Sequence, residues 1–243
     1  PPQELAPLLQ SLNRLIDRLS RSLRQSEDFI AEAAHRIRTP LATVRAQAEV
    51  ALHSVDDVTE KKRMRQIIRA VDESSRSAGQ LLDHATVAYR SENIPDTAID
   101  LAQIARAATA ALQPTADMKD IDIHLDATTA MVRGDDVLME SALRNVLDNA
   151  VKYSPPETAV TVQVRTVDAL GKITVSDSGP GLGDGPFEKY TERFQRGKNA
   201  EGTVGSGLGL TIARDVVLAH QGRIELSNTE GNGTCVSLIL PSA

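Results

Sequence analysis

His35 stands in the string Phe29-Ile-Ala-Glu32-Ala-Ala-His35-Arg36-Ile-Arg-Thr39-Pro40. A neutral imidazole nitrogen at that place can attack a γ-phosphorus held in line with it. Thr39, four residues on, shares the histidine's helical face. Glu32 lies three residues before His35 and four before Arg36, so it can approach either. A second string, Asn145-Val-Leu-Asp-Asn149-Ala-Val-Lys152-Tyr153, puts two amides one helical turn apart. Amide oxygens are ligands that Mg²⁺ accepts beside waters and phosphates, and Lys152 can reach a phosphate. In Asp177-Ser-Gly179-Pro-Gly181 a carboxylate ends an apolar strand. It can accept a hydrogen bond from an exocyclic amine, while the glycines let backbone approach a ring. Gly205-Ser-Gly207-Leu208-Gly209 opens a predicted helix, whose first N–H groups suit a phosphate. It lacks the Lys-Ser/Thr ending of a P-loop, and with no strand before it the spacing fits a dinucleotide fingerprint poorly. Taken singly, these strings also fit surface asparagines and ordinary turns; their order along one chain is the stronger signal.

The elements that must position them fall into two regimes. Leu9, Ile16, Leu23, Ile30, Ile37, Val44 and Ala51 recur every seven residues, with Leu12, Leu19 and Ala33 on the companion seam. Counted on this repeat, His35 falls outside the seam, facing solvent. Residues 53–59 read as a turn, and Met64, Ile67, Val71, Ser74, Ala78, Leu81, Ala85 and Ala88 form a second helical stripe. A lone hairpin with one narrow stripe per helix is marginal, so a homodimeric four-helix bundle is expected. After a polar linker at 91–98, helix-like stretches (101–113, 136–152, 206–220) alternate with strand-like ones (120–125, 158–167, 171–177, 222–228, 234–240). This predicts a two-layer α/β sandwich domain. The long stretch between Gly179 and Gly205 is a candidate lid.

With 41% hydrophobic residues, 2% aromatics and no Trp, the core must be built from Leu, Ile, Val and Ala. The single Cys235 cannot form an internal disulfide and reads as a small buried residue. The net charge of −6 is uneven: residues 1–92 carry 14 Lys/Arg against 13 Asp/Glu, the rest 13 against 20. That balance argues against a nucleic-acid partner. No apolar run of about 18 residues suggests a membrane span, and the start lacks a signal-peptide pattern. His53, His84, His124 and His220 show no metal-cluster spacing.

In this order the four strings resemble the cytoplasmic part of a two-component sensor histidine kinase. The resemblance divides the chain into a HAMP-like signalling helix (1–25), a dimerisation and histidine phosphotransfer domain (26–92), and a Bergerat-type ATP-binding catalytic domain (99–243), a fold shared with gyrase. It implies that the chain phosphorylates His35 from Mg-ATP and passes the phosphoryl group to an aspartate of a response-regulator receiver domain. Thr39 matches a residue that helps orient water for the reverse, phosphatase reaction. Asn149 matches the Mg²⁺ ligand of the N-box, which also takes in Asn145, Lys152 and Tyr153. Asp177 matches the reader of the adenine amino group, with Gly179 and Gly181 beside it. Gly205, Gly207, Leu208 and Gly209 match the second glycine box. Glu192-Arg193-Phe194-Gln-Arg196 resembles the F-box, whose Phe packs the lid and whose arginines face phosphates. Gly231-Asn-Gly233-Thr234 resembles the final glycine box.

Glu4-Leu-Ala-Pro7-Leu8, continued by Leu12, Leu15 and Leu19, resembles the second helix of a HAMP linker, a module that follows a transmembrane helix. The resemblance therefore implies a soluble fragment of a receptor on the cytoplasmic side of a bacterial inner membrane, with its upstream transmembrane sensor segment absent. One position departs from the family: the residue after the histidine is commonly an acid that orients the ring, and here it is Arg36. Glu32, paired with Arg36, can stand in for it. Two rival readings follow: a degenerate kinase acting as phosphatase or dimeric scaffold, which Arg36 favours, and a conformational ATPase. The latter needs a carboxylate one turn before the Mg²⁺ ligand, where this chain has Asn145.

Overall fold

The computed structural model describes residues 36–37, 39–91, 94–183, 187–191, 208–229, 231 and 233–243. The chain divides into two compact units, Pro1–Tyr89 and Arg90–Ala243. The expected signalling helix, Glu32, His35, Arg196, Gly205 and Gly207 lie outside the described residues.

The first unit is a helical hairpin of α1 (residues 39–54) and α2 (Val58–Arg90, its last residue assigned to the second unit). The break between them spans only 55–57, narrower than the 53–59 expected. Asp57 accounts for the sharpness: its Oδ1 accepts the N–H groups of Thr59 (2.8 Å) and Glu60 (2.9 Å), satisfying two donors that the first turn of α2 leaves open. Arg45 of α1 reaches Asp72 of α2 at 3.3 Å, across the hairpin. Ala48 and Val87 are buried, whereas Ile37, Val44 and Ile67 remain 40%, 43% and 41% exposed in the single copy.

The second unit runs β1 (Ala98–Asp100), α3 (Leu101–Asp117), β2 (Ile121–Ala127), β3 (Met131–Arg133), α4 (Asp136–Tyr153), β4 (Thr158–Val167), β5 (Leu170–Ser176), a short 3-10 helix (Phe187–Thr191), α5 (Gly209–Ala219), β6 (Arg223–Asn228) and β7 (Thr234–Pro241). Five strands form one mixed sheet in the order β2-β4-β5-β7-β6, with only the β2–β4 pair parallel. Burial alternates along β5, as a sheet covered on one face requires. Val164, Ile173 and Leu238 are neighbours across three strands and fully buried. The stripes Leu101–Ile104–Ala105–Ala108 of α3, Leu143–Val146–Leu147–Ala150 of α4 and Ile212–Ala213–Val216–Val217 of α5 complete the core. Every buried apolar side chain among the described residues is Leu, Ile, Val, Met or Ala.

This is the α/β sandwich the alternation predicted, and the helical hairpin precedes it as expected. Two details differ. A two-stranded β1–β3 ladder was not foreseen, because three-residue strands are too short to show a period of two. Helix α3 passes through Pro114 to Asp117 instead of stopping at 113. A proline this near the end removes one ladder bond, and the Met118 N–H still meets the Pro114 carbonyl at 3.4 Å.

Candidate functional site

Helix α4 is fixed at its start by Asp135, whose Oδ1 accepts the Leu138 N–H at 3.0 Å and whose Oδ2 accepts Arg90 at 2.9 Å. The Asp135 N–H donates to Nε2 of the buried His220 (3.0 Å), and Nδ1 of that ring lies 2.8 Å from the Val216 carbonyl. His220 is therefore a brace between the start of α4 and the end of α5. In the middle of α4, Asn145 is only 8% exposed, an unusual burial for an amide. Its Nδ2 donates to the Ser141 carbonyl at 2.9 Å, the orientation the local hydrogen bonding supports. Its Oδ1 then points to the start of α5. A Cβ on Gly209 would sit 3.3 Å from that oxygen and 3.2 Å from Asn149 Nδ2. A side chain at 209 would press on both amides, so glycine lets the beginning of α5 close on the asparagine face. Leu208, which precedes α5, has no oxygen with which to cap the helix and is buried.

A second cluster forms where β5 ends. Asp177 pairs with β7 through its N–H to the Thr234 carbonyl (2.8 Å). Its Oδ1 accepts the N–H groups of Gly179 (2.8 Å) and Thr234 (2.9 Å). Burial raises the Asp177 pKa above its ordinary 3.8, and the hydrogen bonds from Thr234 and Gly179 pull the other way. A Cβ on Gly233 would lie 1.9 Å from the Asp177 carbonyl oxygen, so the strand end closes only over a glycine. A Cβ on Gly179 would lie 3.1 Å from the Tyr153 carbonyl, which sets this turn against the end of α4. Gly181 takes a φ of 71°, in the left-handed region. Lys152 lies with its Nζ 4.8 Å from the Tyr153 ring centre.

The end of α4 is held by a residue that no spacing in the sequence singled out. Lys119 Nζ donates to the carbonyls of Val151 (2.7 Å), Lys152 (2.9 Å) and Ser154 (3.2 Å), which uses all three donors of an ammonium. Burial lowers its pKa from 10.5. A cation over the last carbonyls also complements the helix dipole. Replacing Lys119 by Met is expected to destabilise the second unit by about 1–2 kcal/mol. Thermal unfolding of Lys119→Met beside Lys119→Arg checks this; the arginine variant should recover part of the loss.

Thus α4 brings Asn145 and Asn149 to Gly209, and Tyr153 to the Gly179 turn, while β7 brings Thr234 to Asp177. Arg36 and Thr39 are exposed on the first unit, where the Thr39 carbonyl accepts the Thr43 hydroxyl at 3.1 Å. Among the described residues no group of three or more His, Cys, Asp or Glu could hold a metal. The site's cation ligands would be amide oxygens, a donor set that suits a Mg²⁺ carried by phosphates.

The helical hairpin and the α/β sandwich are each matched by a family model. Residues 134–243 match the family of histidine kinase-, DNA gyrase B-, and HSP90-like ATPases. Residues 25–85 match the His Kinase A (phospho-acceptor) domain. The chain is 34% identical over 235 residues to the swarming motility regulation sensor protein RssA of Serratia marcescens, covering 94% of this chain and 49% of that protein. It is 34% identical over 236 residues to the sensor protein QseC of Escherichia coli, covering 96% and 51%. The solved structure of a mycobacterial sensor histidine kinase, MprB, is 32% identical with a TM-score of 0.54, over 60% of this chain and 97% of that one. This chain belongs to the two-component sensor histidine kinase family. It spans about half the length of the curated relatives it matches. Among the described residues no helix is long and apolar enough to cross a membrane.

Proposed function

We propose that this chain is the catalytic part of a sensor histidine kinase that moves the γ-phosphoryl group of Mg-ATP onto His35 and then to an aspartate of a response-regulator receiver domain. The observation that carries the reading is the convergence of Asn145, Asn149 and Gly209 in the unit that also holds the Asp177–Thr234 cluster. In this reading Asp177 accepts the adenine amine, and its two backbone N–H bonds keep the carboxylate from turning away. Asn149 supplies an amide oxygen to Mg²⁺, Asn145 backs the start of α5, and Lys152 faces phosphate. Gly205, Gly207 and Gly209 offer backbone N–H groups, and Arg196 adds positive charge. Bound Mg²⁺ offsets charge on the phosphate oxygens during transfer. Thr39, one turn from His35, orients water when the phosphoryl group is removed from the regulator.

The partially exposed seam residues Ile37, Val44 and Ile67 lie on the heptad stripes, which supports a homodimer that covers them. The signalling helix 1–25 would deliver the stimulus from a transmembrane segment, placing this part on the cytoplasmic side of the inner membrane. At the histidine, Glu32 pairs with Arg36 and takes the part of the missing acid. Glu32→Gln is therefore expected to slow phosphorylation about a hundredfold, the scale of losing general-base assistance. An unchanged rate rejects that role.

The reading is tested by incubating the purified chain with γ-labelled Mg-ATP. Acid-labile, base-stable label on the protein supports the kinase. Tight ATP binding without label would instead favour the phosphatase or scaffold reading that Arg36 suggests.

A further inference from the structure

The turn that carries Asp177 is tied to the sheet at two places, and only the first lies in a recognised string. At its start, Thr234 holds the Asp177 carboxylate (2.9 Å). In the β6–β7 ladder the residue opposite Thr234 is Asn228, the last residue of β6. Asn228 reaches from there to the far end of the same turn. Its Oδ1 accepts the Leu182 N–H at 2.8 Å, and its Nδ2 donates to the Gly183 carbonyl at 3.2 Å. The side-chain amide thus pairs with backbone as a neighbouring strand would, using both its acceptor and its donor. The Leu182 carbonyl in turn accepts the Tyr190 hydroxyl. Gly181, between the two ties, and Gly183, within the second, have φ of 71° and 74°. Such a segment has wide conformational freedom unless its ends are held.

We infer that Asn228 is a positioning residue for base selection: by clamping Leu182 and Gly183 it holds the Asp177–Gly181 turn in the shape that presents the carboxylate to an exocyclic amine. The inference rests on the reading of Asp177 as the adenine contact. Two adjacent strand ends, Thr234 on β7 and Asn228 on β6, fix the two ends of one turn, so the carboxylate at its start has little freedom to follow a different base. Asn228 itself is exposed, and exposed side chains away from the core contribute little to global stability. Its loss should appear in ligand discrimination and hardly in unfolding.

The test compares Mg-ATP with Mg-inosine triphosphate, which carries an oxo group in place of the 6-amine, binding to the whole chain by calorimetry. Asn228→Ala is expected to narrow the preference for ATP about five- to tenfold, the size of one ordinary hydrogen bond's worth of affinity, with an almost unchanged melting temperature. Asn228→Asp keeps the acceptor for Leu182 and loses the donor to Gly183, so it should narrow the preference less. Asp177→Asn serves as the reference that removes the preference. A preference lost in Asp177→Asn and intact in both Asn228 variants overturns the role of Asn228 alone. A preference intact in Asp177→Asn overturns the adenine contact, and this inference with it.

Discussion

Replacing His35 by Gln should abolish phosphate incorporation from Mg-ATP, lowering it by at least about a thousandfold while ATP binding is unchanged. A glutamine amide nitrogen has its lone pair delocalised into the carbonyl, so it is no nucleophile, whereas a neutral imidazole offers a free ring nitrogen. Removing the attacking group from a unit that otherwise remains intact typically costs three or more orders of magnitude. Nucleotide affinity should survive because the ATP-binding unit, Arg90–Ala243, is a separate compact body from the one that includes His35. Two readings are needed on the same variant: acid-labile label after exposure to γ-labelled Mg-ATP, and the Kd for ATP. Label that persists in His35→Gln with the same acid lability would move the acceptor to another histidine, with His53 and His84 the next to test.

Asp177→Asn carries the second large effect, about a hundredfold loss of ATP affinity. Oδ1 already accepts two backbone N–H groups, so an asparagine would keep its oxygen there and, on the proposed reading of Asp177, turn an NH₂ toward the adenine amine. Two donors then face each other, and an unpaired polar contact of this kind costs far more than a lost methylene. Stability should move the other way. Because burial raises the Asp177 pKa, the folded chain binds this proton more readily than the unfolded chain does. The ionised carboxylate therefore costs stability at pH values above its raised pKa. The cost fades as pH falls through that value and is gone below the ordinary 3.8. Asp177→Asn should accordingly melt at or above the wild-type temperature near neutral pH, with the difference closing in acid. In the wild type, ATP affinity should also weaken as Asp177 takes up its proton, a trend absent from the variant. Calorimetric Kd values and melting curves across pH measure both; a variant that is less stable and still binds ATP normally would reverse the assignment.

The two regimes of the chain were legible from periodicity alone. Heptad spacing through Ile37, Val44 and Ala51 marked a helix because one apolar face every seven residues leaves few other structures open. The alternation in Thr161–Val167 marked β4, which pairs with both β2 and β5 in the sheet. The glycines at 179–181 could be read because a glycine beside a carboxylate at a strand end is a local signal, whereas 231–233 stood out only by its resemblance to the family's final glycine box. The turn 55–57 was placed too broadly, since the N-cap that sharpens it, Asp57, is one of two adjacent aspartates that spacing does not distinguish.

His220 shows where local reading stops. Its spacing to the other histidines says nothing of a role, yet it is buried and spans from Val216 to Asp135, a residue 85 positions away. Lys119 belongs to no string that spacing singles out, and it holds the end of α4 from 32 residues upstream. Asn228 sat at a strand end with no motif around it, and its partner Leu182 is 46 residues distant. The sequence by itself determined the long helices, the strands of the large sheet, the hairpin-then-sandwich order, and the strings that resemble those of the sensor histidine kinase family, because each of these is written in side-chain period or in residues a few places apart. Only the tertiary structure decided the mixed strand order and the braces at Lys119, His220, Asn228 and Gly233. Those depend on which distant backbone groups are brought within hydrogen-bonding or van der Waals reach, and a buried carbonyl or N–H takes whatever partner the fold presents to it.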